Sequence, residues 1–263
     1  MVFVSDLLKD RVALITGGGT GIGYGIAEEL ALCGADVAVA SRKPEHVAAA
    51  AERLATLGVR TAAIEANVRD PESVQAMVAQ TVERLGRLDI LVNNAAGNFY
   101  APSAELTPNG WRAVVETDLY GTFFCSQAAY RVMRGQRFGR IISISMTLHY
   151  RGWPMMAHAT AAKAGVDALT RTLALEWAAD GITVNALAPG PILTEGARKA
   201  FAAGDAAQGK RSIDEQLASQ IPVGRLGTPA DIGRMAAYLA SDAGTWITGS
   251  IIVIDGGSSL AKM

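Results

Sequence analysis

Seven short apolar runs, separated by stretches with helical spacing, constrain what this chain can fold into. The first, "RVALIT" (Arg11–Thr16), is apolar without alternation and closes on glycines. A strand covered on both faces reads this way, because either face would otherwise bury polar groups. "DVAVAS" (Asp36–Ser41), "TAAIEANV" (Thr61–Val68), "LDILVNNAAG" (Leu88–Gly97), "GRIISIS" (Gly139–Ser145), "GITVNALAPG" (Gly181–Gly190) and "GSIIVIDGG" (Gly249–Gly257) follow. Between them lie helical patterns. In Gly21–Gly34, Ile22, Ile26, Leu30 and Cys33 share a face; Pro44 opens a helix that closes near Gly58, and Asp70-Pro71 caps another. Thr107–Met133 and Ala157–Ala178 read as long helices, and Pro229–Leu239 as a shorter one. Strands alternating with helices predict an α/β fold, a doubly wound parallel sheet with right-handed crossovers and helices on both faces. No linker or repeat divides residues 1–263, so one domain is expected, with a substrate-covering helical excursion near 194–220.

Composition excludes several classes. Half of the 263 residues are hydrophobic and 19% are charged, which suits a globular chain rather than a disordered one. The formal net charge is −1 and no basic run stands out, so no nucleic-acid partner is expected. No apolar run reaches membrane-spanning length, and "MVFVSDLLKD" does not read as a signal peptide, since Asp6 interrupts its apolar patch. Cys33 and Cys125 lie far apart in apolar helical contexts; they read as reduced, buried thiols, and no metal site is expected. A cytoplasmic location follows, or a peroxisomal one in a eukaryote, since the C-terminal "AKM" loosely matches a peroxisomal address.

"TGGGTGIG" (Thr16–Gly23) sits between the first strand and the first helix. Glycine clusters are often plain turns, but this strand–loop–helix context fits a dinucleotide. Gly17, Gly21 and Gly23 let the backbone approach a pyrophosphate, with Thr20 and Ile22 beside them, and the helix N-terminus supplies free N–H groups. A Rossmann fold is therefore expected. The second strand ends in Ser41, Arg42 and Lys43 with no acid. An acid there would bind the ribose hydroxyls of NAD, whereas a hydroxyl and a guanidinium suit the 2′-phosphate of NADPH. The plain alternative is a solvated turn.

The glycine spacing, "LVNNAAG" (Leu91–Gly97), "NALAPGPILT" (Asn185–Thr194) and "GSIIVIDGG" together resemble the short-chain dehydrogenase/reductase family over nearly the whole chain. The resemblance implies cofactor contacts at Asn67 and Val68, at Asn94 and Ala95, at Pro189, Gly190 and Ile192 of the nicotinamide loop, and at Lys163. It also implies a homo-oligomer, commonly a tetramer, built on the two long helices.

Most of that family uses Asn, Ser, Tyr and Lys together, the tyrosine passing a proton to or from a carbonyl oxygen. Here the tyrosine position, four residues before Lys163, is Ala159; the serine position is Met146, and the asparagine position is Asp118. A cofactor site without the carbonyl acid points to hydride delivery onto a carbon–carbon double bond, where the proton goes to carbon and can come from water. "NNAAGNF", "HATAAKAGVDALTRTLALEW" and "LAPGPILTEG" are similar to 2,4-dienoyl-CoA reductases and to the related trans-2-enoyl-CoA reductases. Asp118 favours the peroxisomal dienoyl branch, which carries an aspartate there. The resemblance implies NADPH-dependent reduction of a dienoyl-CoA to a 3-enoyl-CoA, with Asp118 and Lys163 as catalytic residues holding a protonating water. Alternatives are a 3-oxoacyl reductase using Tyr150, which lies beside His149, and an NADPH-binding protein without chemistry. His158 reads as a packed or capping histidine, and Arg198, Lys199, Lys210 or Arg211 are candidates for CoA phosphates.

Overall fold

The computed structural model describes residues 2–194 and 218–261. The seven apolar runs become β1 Val12–Thr16, β2 Asp36–Ser41, β3 Thr61–Glu65, β4 Ile90–Asn93, β5 Gly139–Ile144, β6 Ile182–Pro189 and β7 Ile251–Ile254. They pair in parallel in the order β3-β2-β1-β4-β5-β6-β7. The intervening helices are α1 Gly21–Leu32, α2 Pro44–Ala55, α3 Pro71–Leu85, α4 Pro108–Val115, α5 Gly121–Gln136, α6 Ala157–Trp177 and α7 Pro229–Ala240.

Side chains alternate across each strand, so the uninterrupted apolar runs feed two cores. Ala13, Ile15, Val37 and Val39 meet Ile26 and Leu30 of α1 and Ile232 of α7 on one face. Val12, Leu14, Ala38 and Ala40 meet Met77 of α3, Met133 of α5 and Leu173 of α6 on the other. The helix stops are local. Asp70 accepts from the Glu72 N–H at the start of α3, and Gly86, at φ 92°, ends it in the left-handed region. Thr228 and Asp231 form a reciprocal capping box at α7.

One expectation meets a different outcome. The single helix expected over Thr107–Met133 is interrupted by a π turn, Glu116–Tyr120, between α4 and α5. Period-3.6 spacing does not register one added residue in a turn. Most of the expected excursion near 194–220 lies outside the described residues, as do Arg198, Lys199, Lys210 and Arg211.

At the N-terminal edge of the sheet Asp89 is completely buried. It accepts from the Val12 N–H at 2.9 Å and from both sides of the Arg87 guanidinium at 2.7 Å, and so ties the start of β1 to the chain entering β4. Asp89→Ala would orphan a buried N–H and an arginine. We expect it to cost about 2–4 kcal/mol of unfolding free energy by urea titration; a loss below about 0.5 kcal/mol, the range of ordinary surface changes, would refute this.

Candidate active site

The sheet order reverses between β1 and β4, and a crevice opens at the C-terminal ends of these strands, where open α/β sheets bind ligands. Thr16 holds it together. Its hydroxyl donates to the Val92 carbonyl and accepts from the N–H groups of Asn94 and Ala95 at 3.0 and 3.1 Å. The Asn94 amide donates back to the carbonyls of Thr16 and Gly17. Gly17 sits at φ 64°, and a Cβ on Gly23 would lie 2.3 Å from the Gly17 carbonyl oxygen. Only glycine fits these two positions. Thr20 is the N-cap residue of α1, but its side chain caps no N–H, which leaves the first turn of the helix to a ligand.

A cavity of about 290 Å³ runs from this loop along the ends of β2 and β3. Gly17, Thr20, Ser41, Arg42, Asn67, Val68, Asn94 and Ala95, eight of the residues singled out from the sequence, line it. Arg42 is exposed at its mouth. Gly21, Ile22 and Gly23 lie in the adjoining turn, off its wall. Pro189 ends β6; the Gly190 N–H donates to the Ile254 carbonyl, and Ile192 bridges Gly227. The loop after β6 also reaches the glycine turn, since a Cβ on Gly21 would lie 3.5 Å from Thr194.

Beyond the cavity the structure pairs Asp118 with Lys163. The π turn widens the helix by one residue and rotates Asp118 inward to 2% exposure, while Tyr120 stays half exposed. Asp118 accepts from the Gly97 N–H at 2.8 Å and lies 3.4 Å from the Lys163 ammonium. Lys163, 5% exposed, also donates to the Ile144 carbonyl at 2.7 Å. Burial pushes the Asp118 carboxyl above its ordinary range, and Lys163 and the Gly97 N–H oppose that rise.

Ala159 is fully buried in an apolar cluster with Val114 and Met156, and Met146 and Leu148 pack against it. The two positions that carry hydroxyls in most of the family are thus part of a small core. Ser145, next to Met146, is turned away: its hydroxyl donates to Asp167 at 2.5 Å, and His149 Nε2 lies 2.8 Å from the other Asp167 oxygen. Neither this cluster nor the Thr16 clamp is legible in the sequence; Asp167, one helical turn beyond Lys163, is the signal for the former. Tyr150 is half exposed against the His149 ring, with its hydroxyl pKa raised by burial first and then by Asp167. His158 is completely buried, and its Nδ1 accepts from the Ala159 N–H. Cys33 and Cys125 are free and buried, their thiols pushed up to about 11 and about 12. No cluster of metal-ligating side chains occurs among the described residues.

A glycine turn against a helix N-terminus, opening at the sheet's switch point, fits a dinucleotide. The model described as enoyl-(acyl carrier protein) reductase matches residues 17–259. The chain belongs to the short-chain dehydrogenase/reductase family and is an oxidoreductase that uses a nicotinamide cofactor. It is 43% identical over 263 residues to a zebrafish (Danio rerio) protein named peroxisomal 2,4-dienoyl-CoA reductase [(3E)-enoyl-CoA-producing], covering 99% of this chain and 85% of the relative. It is 41% identical over 256 residues to a Bacillus subtilis protein named probable 2,4-dienoyl-CoA reductase [(2E)-enoyl-CoA-producing], covering 96% and 98%. A solved structure, described as a putative short-chain alcohol dehydrogenase from Sinorhizobium meliloti, superposes with a TM-score of 0.89 at 38% identity, covering 97% of this chain and 98% of that one.

The folded state holds the Asp118 proton more tightly than the unfolded chain. This group's contribution to stability therefore falls as pH rises from the ordinary carboxyl range through its raised value. Lys163→Met removes the charge that opposes burial, so Asp118 should titrate at a still higher pH than in the wild type. Carbon-13 NMR of labelled aspartate reads the midpoint, and one that stays put or drops would overturn this electrostatic account.

Proposed function

We propose that this chain reduces 2,4-dienoyl-CoA thioesters to 3-enoyl-CoA with NADPH. The observation that carries the reading is a buried carboxylate–ammonium pair beside the dinucleotide crevice, at a site where the oxygen-protonating hydroxyls are replaced by apolar side chains. The names of the relatives from zebrafish and Bacillus support the same substrate class.

The residues fit the cofactor, because Gly17 and Gly23 form a cradle that any Cβ would fill. Gly17, Thr20, Gly21, Ile22 and Gly23 would hold the pyrophosphate. Asn67, Val68, Asn94 and Ala95 would flank the adenosine side and floor, Pro189, Gly190 and Ile192 the nicotinamide side. Ser41 and Arg42 would take a 2′-phosphate, which selects NADPH. When bound, NADPH supplies a hydride to the conjugated acyl chain. Lys163 would hold the nicotinamide ribose, and with Asp118 it would position the water that protonates the α carbon of the dienolate. Asp118, in place of asparagine, favours the dienoyl over the 2-enoyl substrate. Burial and then Asp167 raise the Tyr150 hydroxyl rather than lower it, which disfavours it as a carbonyl acid.

The same reading makes residues 1–263 one catalytic domain that assembles with copies of itself. An apolar depression lined by Leu119, Tyr120, Phe123, Phe124 and Leu169 on the π turn, α5 and α6 supports a helix-mediated dimer within a tetramer. No helix among the described residues is long and apolar enough to cross a membrane. A cytoplasmic setting, or a peroxisomal one in a eukaryote, suits this chemistry.

With 2,4-hexadienoyl-CoA, NADPH oxidation followed at 340 nm should be lost by about 10²–10⁴-fold in Asp118→Ala. An inert wild type that still binds NADPH would sink the proposal. Arg42→Ala should weaken NADPH by about ten- to a hundredfold, the worth of a charge-assisted hydrogen bond, and leave NADH unchanged. Equal loss for both dinucleotides would remove the phosphate assignment. Sedimentation at micromolar concentration should show an oligomer, not a monomer.

A further inference from the structure

His158, completely buried in the first turn of α6, is a histidine whose chemistry is left over. Its Nδ1 accepts the Ala159 N–H at 2.9 Å, in the first turn of α6, where a free N–H needs an acceptor. A ring nitrogen that accepts carries a lone pair, so the imidazole is neutral and its proton is on Nε2. Nε2 is buried and meets no protein acceptor among the described residues. A buried donor without a partner is unfavourable, so this one needs an acceptor.

Its surroundings show where that donor is useful. The Phe99 ring stands perpendicular to the imidazole with centroids 4.5 Å apart. Phe99 lies on the loop whose Gly97 N–H holds Asp118. His158 and Ala162 are one turn apart on α6, both buried, and α6 packs on α4 and on the π turn that carries Asp118. A buried ring N–H without a protein acceptor is a place where an ordered water can bind.

We propose that His158 is a positioning residue, whose Nε2–H donates to a water shared with the Asp118 carboxylate, and that this fixes protonation at the α carbon of the substrate. The inference rests on the dienoyl-CoA reading above. With its oxygen accepting from Nε2–H and one proton directed to Asp118, the water has one proton left for carbon. The C–H bond forms with the electron pair of the dienolate as the water O–H bond breaks. The hydroxide left behind takes a proton from the Lys163 ammonium, which solvent restores. A dienolate can take the proton at the α carbon, giving the 3-enoyl product, or at the γ carbon, giving the 2-enoyl product. Losing the anchored water therefore changes which product forms as well as how fast.

The test compares His158→Phe, which keeps a ring and removes the donor, with His158→Gln, which restores an N–H. In His158→Phe with 2,4-hexadienoyl-CoA, kcat should fall about ten- to a hundredfold. KM should hold, the solvent deuterium isotope effect on kcat should grow, and the 2-enoyl share of product should rise. His158→Gln should recover part of the rate and the 3-enoyl product. An unchanged product ratio and isotope effect in His158→Phe, or a Gln variant no better than Phe, would overturn the assignment. If the wild type does not reduce the dienoyl thioester, the substrate reading fails. The placement of the water is then decided by a crystal structure with NADP. A water about 3 Å from both Nε2 and an Asp118 oxygen upholds it, and Nε2 against a protein acceptor or a dry pocket rejects it. The same structure decides the matter if His158→Phe does not fold.

Discussion

Side by side in the sheet, β1 and β4 send their following chains to opposite faces, and the Thr16 hydroxyl is what keeps their ends together. One side chain accepts two N–H groups from β4's exit and donates to β4's last turn of strand, and Asn94 answers with two bonds to the glycine loop. The divergence makes the crevice, and the clamp fixes its width. The glycine turn, the Asn94–Gly97 segment and thus the Gly97 N–H that holds Asp118 all take their positions from this junction.

From there the electrostatics follow. A carboxylate at 2% exposure is unfavourable unless paired. Lys163 and the Gly97 N–H offset that cost without cancelling it, so the carboxyl stays above its ordinary range. Lys163 is itself fixed by the Ile144 carbonyl at the end of β5. The pair is therefore braced by the end of β5, the loop after β4 and the two helical elements that carry it. Such a site can hold and orient a water but offers no side-chain hydroxyl to a carbonyl oxygen at positions 146 and 159, where methionine and alanine pack into a core.

Legibility in the sequence varied with how local the cause was. β2 runs over Asp36–Ser41 as read, because an apolar run bounded by Gly34 and Pro44 leaves little choice. The start of α3 was legible from Asp70-Pro71 for the same reason. The π turn was not: Glu116–Tyr120 shows ordinary helical spacing, and the extra residue is tolerated because Thr117 and Thr122 hydroxyls donate to the Ala113 and Asp118 carbonyls along that stretch. Nor was the Ser145–Asp167–His149 cluster, whose members are separated by up to 22 residues and meet only when α6 docks against the turn that follows β5.

The sequence by itself determined the alternation of strand and helix, the glycine turn and the loss of both hydroxyls, since each is written in neighbouring residues and their backbone preferences. Only the tertiary structure decided that Asp118 turns inward to meet Lys163, that Ala159 is sealed by methionines, and that His158 buries an Nε2 with no protein partner among the described residues. Those outcomes depend on burial, and burial is set by which distant elements come to lie against one another.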